Sequence, residues 1–435
     1  MKWLAGTALS ALAIGTVVVA EQQAPDPYKD VAERYVRLVL AVGQHDGDYV
    51  DAYYGPPDWR TQAEAQKIAL PEIDARAAAL EGDLAKASPP TWKEDAELWR
   101  LRRRYLERQM AALRSRVAML QGKRLTFDQE SQSLYDATAP RHTEQEFAGI
   151  LAKLDARLPG EGPTVKRYEA FKEAFVIPRD RLAPVFDAAI RACRDRTRQY
   201  IDLPAGESFT VEYVTGKSWG GYNWYQGNYR SLIQVNTDLP IYIERAIDLA
   251  CHEGYPGHHV YNALIEKHLV RDRGWVEFTV YPLFSPQSLI AEGTANYGIE
   301  VAFTRESRMQ FERDVLFPLA GLSTSRVVEY YEVADLVDQL SYAGNEAARR
   351  YLDGTIDAKG AADWLEKFAM TPRARAEQRV KFFDQYRSYV INYNLGKDLV
   401  RAFVERRVKM DTAPKRKWTE FAALLSSPRL PSGLK

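Results

Sequence analysis

The sequence predicts a mainly α-helical fold with one small β-sheet, which stands just ahead of a helix carrying a cluster of histidines. Three observations predict it. Apolar residues recur at three- and four-residue spacing over long stretches. Pro and Gly gather between those stretches, at Pro89-Pro90 and Leu158-Pro159-Gly160 for example. β-Branched and aromatic residues between Gly turns concentrate in one segment only, from Ser208 to Pro240.

The elements follow in order. Residues 1–20, MKWLAGTALSALAIGTVVVA, read as a secretory signal: Lys2 supplies the positive start and an apolar stretch follows. Val18 and Ala20 sit where a signal peptidase reads small residues. Cleavage after Ala20 and an exported, periplasmic or secreted protein are expected. No Cys lies near the junction to carry a lipid, and no later run is apolar enough to span a bilayer. Residues 95–122 place Leu98, Leu101, Tyr105, Met110, Leu113, Val117 and Leu120 along one helix face. Thr143 with Glu146 forms a capping box that opens a helix bearing Phe147, Ile150, Leu151 and Leu154. Further helical patterns run from Asp180 to Tyr200, from Ile241 past Cys251, from Leu289 to Phe303 and from Ala374 to Val408. The segment from Ser208 predicts two to four strands before the helix that starts near Pro240. A helical N-terminal lobe (21–203) and a C-terminal lobe (204–435) that holds the candidate site are expected to make one catalytic domain after the signal.

Composition narrows the partners. The 435 residues carry 59 Lys+Arg against 59 Asp+Glu, without the basic excess of a protein that lives on nucleic acid. Apolar residues at 46% and charged residues at 27% support a packed core over disorder. The two cysteines, Cys193 and Cys251, are too few for a disulfide framework. Sequence leaves open whether they pair.

The chemistry concentrates in one place. Four of the six histidines fall between His252 and His268. The core reads Cys251-His252-Glu253-Gly254-Tyr255-Pro256-Gly257-His258-His259. A His followed directly by Glu, with another His nearby on a helix, is how zinc peptidases arrange a metal ligand beside a general base. The short motif needs its second His four residues on, but position 256 is Pro. On an ideal helix His258 is turned about 120° from His252, and His259 lies about 10 Å further along the axis. Neither could share a zinc ion with bonds of about 2 Å. Pro256 offers no N–H to the carbonyl of His252, and Gly257 tolerates unusual backbone angles. A bulge at Pro256-Gly257 would return His258 to the metal side, so His258 is preferred to His259. A third ligand is expected at Glu292, in Ala291-Glu292-Gly293-Thr294-Ala295-Asn296-Tyr297-Gly298-Ile299-Glu300. The small residues after it would let that helix approach another. Two His and one Glu are a ligand set of catalytic zinc. Glu300 sits roughly on the same face as Glu292. Asp248 lies one turn before His252, where it could orient the imidazole or simply face solvent.

HEGYPGHH, followed by EGTANYGIE, resembles the bacterial domain-of-unknown-function 885 family, which is grouped with the gluzincin-type zinc metallopeptidases. The resemblance covers most of the chain after the signal. It implies a large helical metallopeptidase-like fold with a central cleft, one Zn2+ ion on His252, His258 and Glu292, and Glu253 as the base. One departure is visible: the family usually carries Trp after the Glu-Gly pair, where this chain has Thr294. Tyr393-Asn394-Leu395-Gly396-Lys397 resembles the family's late Tyr-x-x-Gly stretch, and a Tyr393 hydroxyl there would donate to the oxyanion formed on an attacked carbonyl. The strand Leu232-Ile233-Gln234-Val235-Asn236 is expected to offer an edge to an extended peptide.

Zinc-dependent hydrolysis of peptides is therefore expected. The rivals are a serine hydrolase and a zinc- or peptide-binding protein without turnover. Gly216-Lys217-Ser218-Trp219-Gly220 matches G-x-S-x-G, but turn residues follow Ser218 where that motif needs a helix. A pure binder has no need of the carboxylate at Glu253. A glycosidase would rest on the nine Trp and 25 Tyr alone.

Overall fold

The computed structural model describes residues 26–88, 95–411 and 413–435. The expected signal at 1–20 lies outside these. The chain is mainly helical, 67% helix and 7% strand, with a small sheet. The helices that matter to the site are α1 (Lys29–Val42), α2 (Ala96–Leu120), α3 (Glu144–Arg157), α4 (Leu182–Arg198), α5 (Glu244–Leu249), α6 (His258–Ile265), α7 (Pro286–Ala302), α8 (Arg373–Tyr386) and α9 (Ile391–Val408). The strands are β1 (Val50–Tyr53), β2 (Ser208–Val214), β3 (Gly221–Gly227), β4 (Arg230–Asn236) and β5 (Val280–Pro282).

The periodicity of α2 buries Tyr105, Met110, Leu113 and Val117, as its spacing predicts. The same face buries Arg102, fully enclosed between Glu277 (2.5 Å) and Asp26 (2.7 Å). A cation so placed needs both carboxylates, because an unpaired buried charge is very costly. The triad ties the start of the described chain to the segment just before β5. At α3 the capping box forms in both directions: Glu146 N–H donates to Thr143 Oγ1 (3.3 Å), and Thr143 N–H donates back to Glu146. The boundary drawn at 203/204 falls between α4 and β2. One hydrophobic core runs from Tyr28 to Leu434 across it.

The sheet lies ahead of the histidine helix, and its order is β2-β4-β3. β4 pairs parallel with β2, Ser208 opposite Arg230, and antiparallel with β3, Trp224 opposite Leu232. This corrects one expectation. Leu232–Asn236 belongs to the central strand, so both of its backbone edges are already used. The free edges are β2 and β3. The error has a physical cause: an apolar five-residue run looks the same at the centre and at the edge of a sheet. A second ladder pairs β1 with β5, Ala52 opposite Tyr281. It carries Asp51 to the wall of the cleft that His252 and His258 also line.

The long pattern from Ala374 to Val408 is two helices. The chain breaks at Arg387, whose φ is +52°, and a short 3₁₀ turn leads into α9. No Pro or Gly marks the break. Buried Glu130 supports it instead, accepting from Arg387 Nε (2.7 Å), Ser388 N–H (3.0 Å) and Ser388 Oγ (2.6 Å). One carboxylate thus satisfies the groups that a break sets free.

Candidate metal centre

The histidine helix opens where the sequence puts Pro and Gly. α5 widens into a π-type turn over Ala250–Gly254, with Tyr255 N–H bonded to Ala250 O at 3.1 Å. The chain is extended at Tyr255 and re-enters a helix at His258. Pro256 cannot donate to the His252 carbonyl. Gly257 N–H reaches Cys251 O instead (2.9 Å), and this brings its backbone hard against the preceding turn. A Cβ at Gly257 would fall 1.9 Å from His252 O, so only glycine fits. The break returns His258 to the side of His252, and their Nε2 atoms stand 3.1 Å apart. Cys251, one residue before His252, is bonded to Cys193 of α4, with Cα atoms 5.7 Å apart. The disulfide anchors the break to the core.

Glu292 arrives on α7, which packs on α9 at near backbone contact. A Cβ on Gly293 would lie 2.5 Å from Gly396 C and O, and one on Gly396 would lie 2.8 Å from Leu289 O. The glycines of the Glu-Gly and Tyr-x-x-Gly motifs therefore face each other. Tyr389, at the start of this region, donates its hydroxyl to Glu292 Oε1 at 2.7 Å. The other oxygen, Oε2, is buried without a hydrogen bond. It lies 3.2 Å from His252 Nε2 and 3.7 Å from His258 Nε2. Two donors on one tetrahedral ion with bonds of about 2.05 Å stand about 3.3 Å apart. The observed triangle of 3.1, 3.2 and 3.7 Å brackets that value. An orphaned carboxylate oxygen facing two imidazole nitrogens fits a cation of zinc type, and these three residues are the ones that would hold it.

The electrostatics favour a positive charge here. Burial pulls the His258 imidazolium down, but Glu292, then Glu253 and Asp51, outweigh it and raise its pKa to about 9. Burial pushes the Glu292 carboxyl up, but the charges and hydrogen-bonding groups of His258 and His252 hold it well below the usual range. Asp51 is pushed up to about 6, mainly by burial, against the hydrogen bond from Tyr222 and the charge of His258. No sequence pattern pointed to Asp51, because it arrives only through the β1–β5 ladder.

The other predicted residues are placed as follows. Glu253 is 4% exposed on the wall of the cleft, where its backbone carbonyl accepts from Asn223 Nδ2 at 2.7 Å. A Cβ on Gly221 of β3 would lie 3.0 Å from its Oε1. Tyr393 lines the same cleft one turn after Tyr389, which sequence reasoning missed. The only signal available was its spacing of four from Tyr393. His259 turns away into the core: Nε2 meets Glu207 at 3.0 Å and Nδ1 meets Ser231 Oγ at 2.9 Å. Asp248 does not orient His252. It is held by Arg245 (3.4 Å), three residues earlier on the same helix, and by Arg308 (2.8 Å), a distant cation that a helix-face reading cannot see. Glu300 is half exposed and pairs with Arg401 and Lys397. Ser218 meets Gln385 Oε1 at 3.4 Å, with no His among its partners in the described residues. The whole cleft encloses about 1140 Å³.

Comparison with known proteins gives the fold. No protein-family model matches the chain, and no curated protein matches it. Solved structures do. One is named "putative lipoprotein from Colwellia psychrerythraea": TM-score 0.51, 14% identity, covering 83% of this chain and 65% of that one. This chain thus spans about two thirds of that protein's length. A structure named BsuCP gives a TM-score of 0.47 at 12% identity, over 91% of this chain and 88% of that one. A "putative lipoprotein of unknown function from Shewanella oneidensis" gives 0.45 at 13% identity, over 91% and 82%. The Colwellia likeness bears on the fold alone, and the family resemblance rests on the motifs.

Proposed function

We propose that the protein is an exported zinc-dependent peptidase of the gluzincin type. The observation that carries this reading is the convergence of His252 Nε2, His258 Nε2 and Glu292 Oε2 in one cleft, beside the Glu253 carboxylate. When bound, zinc supplies a Lewis acid that polarises a carbonyl and brings the pKa of water towards about 7. The chain's own residues do the rest. Glu253, adjacent to His252 and backed by Gly221, takes a proton from water and returns it to the leaving amine. Tyr389 fixes Glu292. Tyr393 offers a hydroxyl to the cleft, where an oxyanion would develop. β3, a free edge at the cleft wall through Gly221, Tyr222 and Asn223, replaces β4 as the edge that could align an extended peptide.

Export agrees with the lipoprotein name of the Colwellia structure. Both cysteines are in the disulfide, so neither is free for lipid. No helix among the described residues is long and apolar enough to cross a membrane.

The test is Glu253→Gln. It should abolish peptide hydrolysis, while elemental analysis still finds one zinc per chain. Normal cleavage by this variant overturns the assignment. Ser218→Ala should retain activity, and a near-total loss would move the reaction to the serine.

A further inference from the structure

α8 presents Arg375, Gln378, Arg379, Phe382 and Tyr386 to the cleft, the three- and four-residue spacing of one helix face. Cations are plentiful on the cleft walls, and among the described residues all but Lys417 and Arg379 are already engaged. Lys172 is bound to Glu244, Arg305 to Asp335, Arg308 to Asp248 and Glu312, and Lys397 to Glu300 and Asp338. Arg375 gives its guanidinium to the Pro240 carbonyl at 2.7 Å. Arg379 differs. Among the described residues it has neither a carboxylate partner nor a hydrogen bond. Its guanidinium rests on aromatic rings: Phe382 at 5.0 Å, Tyr393 at 5.8 Å and Phe383 at 5.9 Å. Burial lowers its pKa, with only Tyr393 acting against it.

Two tyrosine rings link it to Glu292. The Tyr393 ring stands between Arg379 and Tyr389, at 5.8 Å from each, and Tyr389 holds Glu292. Burial and the charges of Glu292 and Glu253 push the Tyr393 hydroxyl pKa up, and the charge of Arg379 acts against them. An anion bound by Arg379 therefore lies in the cleft that Glu253 lines, one ring removed from the tyrosine that holds Glu292. The planar fork of arginine matches a carboxylate with two parallel hydrogen bonds. In a peptide, the carbon of the terminal carboxylate lies about 3–4 Å from the last peptide carbonyl carbon. A side-chain carboxylate hangs on a longer, more flexible arm.

We infer that Arg379 binds the α-carboxylate of the peptide's last residue, so that the cleft removes residues from the C-terminal end. This rests on the peptidase reading above and names its substrate class.

The test is calorimetric titration of the zinc-loaded Glu253→Gln protein, which needs no turnover. The ligands are N-acetyl-trialanine as free acid, the same peptide as C-terminal amide, and N-acetyl-Ala-Glu-Ala amide, whose only carboxylate is on a side chain. The free acid should bind about 10- to 150-fold more tightly than the amide, the range for a hydrogen bond to a charged group. Arg379→Gln should erase that ratio with zinc content unchanged, and Arg379→Lys should restore part of it. The glutamyl amide should bind like the plain amide. Equal affinity for acid and amide, a ratio that survives Arg379→Gln, or a glutamyl amide that matches the free acid would each overturn the inference. If wild-type protein cleaves acid and amide alike, this inference falls and the peptidase reading stands. If no peptide is cleaved while the Arg379-dependent ratio persists, the reverse holds.

Discussion

Removing one hydroxyl at Tyr389 probes the proposed centre without touching a ligand. Glu292 has two oxygens with different tasks. Oε1 accepts the Tyr389 hydroxyl at 2.7 Å, and Oε2 faces the two imidazoles at 3.2 and 3.7 Å without a hydrogen bond of its own. Tyr389→Phe leaves Oε1 buried without its donor and frees rotation about the last side-chain bond. A hydrogen bond to a charged group contributes about 1.5–3 kcal/mol. The part of it that depends on metal sets the change in affinity. Loss of a partner that orients a ligand typically costs about 10–100-fold, or roughly 1.4–2.7 kcal/mol. Zinc affinity measured against a competing chelator near neutral pH should therefore weaken by that factor in Tyr389→Phe. Glu292→Gln, which removes the charge, should weaken it further. Thermal melting of the metal-free variants controls for general damage. Zinc affinity within twofold of wild type in Tyr389→Phe would refute the orienting role. If Glu292→Gln were also unaffected, Glu292 would not be a ligand.

Two further expectations concern the surroundings of the centre. Gly221→Ala puts a methyl 2.6 Å from Leu249 Cδ2 and 3.0 Å from Glu253 Oε1. Steady-state kinetics should show kcat reduced by about tenfold or more as the base is displaced, with zinc stoichiometry retained; an unchanged kcat would show that Gly221 does not set the position of Glu253. Glu207 is pushed up by burial, but bonds to His259, Tyr255 and Arg194 more than offset this and hold its carboxyl below the ordinary value of 4.5. Its contribution to stability is thus fully present above about pH 4.5 and is lost as pH falls through the lower folded value. Urea unfolding over that acid range should show a steeper loss in wild type than in Glu207→Gln, and identical slopes would count against it.

What could be read in advance was what local chemistry encodes. Pro256 and Gly257 announce a broken helix because one lacks a donor and the other lacks a Cβ. His252 and His258 meet for that reason. The small residues after Glu292 anticipate close packing, which Gly293 and Gly396 realise. The break at Arg387 was invisible, because buried Glu130 from far upstream supports it and no breaker residue does. β4 was misread as an edge because strand order is a relation between segments.

By itself the sequence determined the helical class, the position of the small sheet and the bent segment with its two imidazoles and adjacent carboxylate. Each of these depends on residues within a turn or two of one another. The tertiary structure alone decided that Glu292 faces those imidazoles, that Tyr389 holds it and that Asp51 and Arg379 share its cleft. It also decided that Asp248 and His259 serve other partners and that Cys193 joins Cys251. Those outcomes depend on which distant surfaces pack together, and burial then fixes the partner of every buried charge.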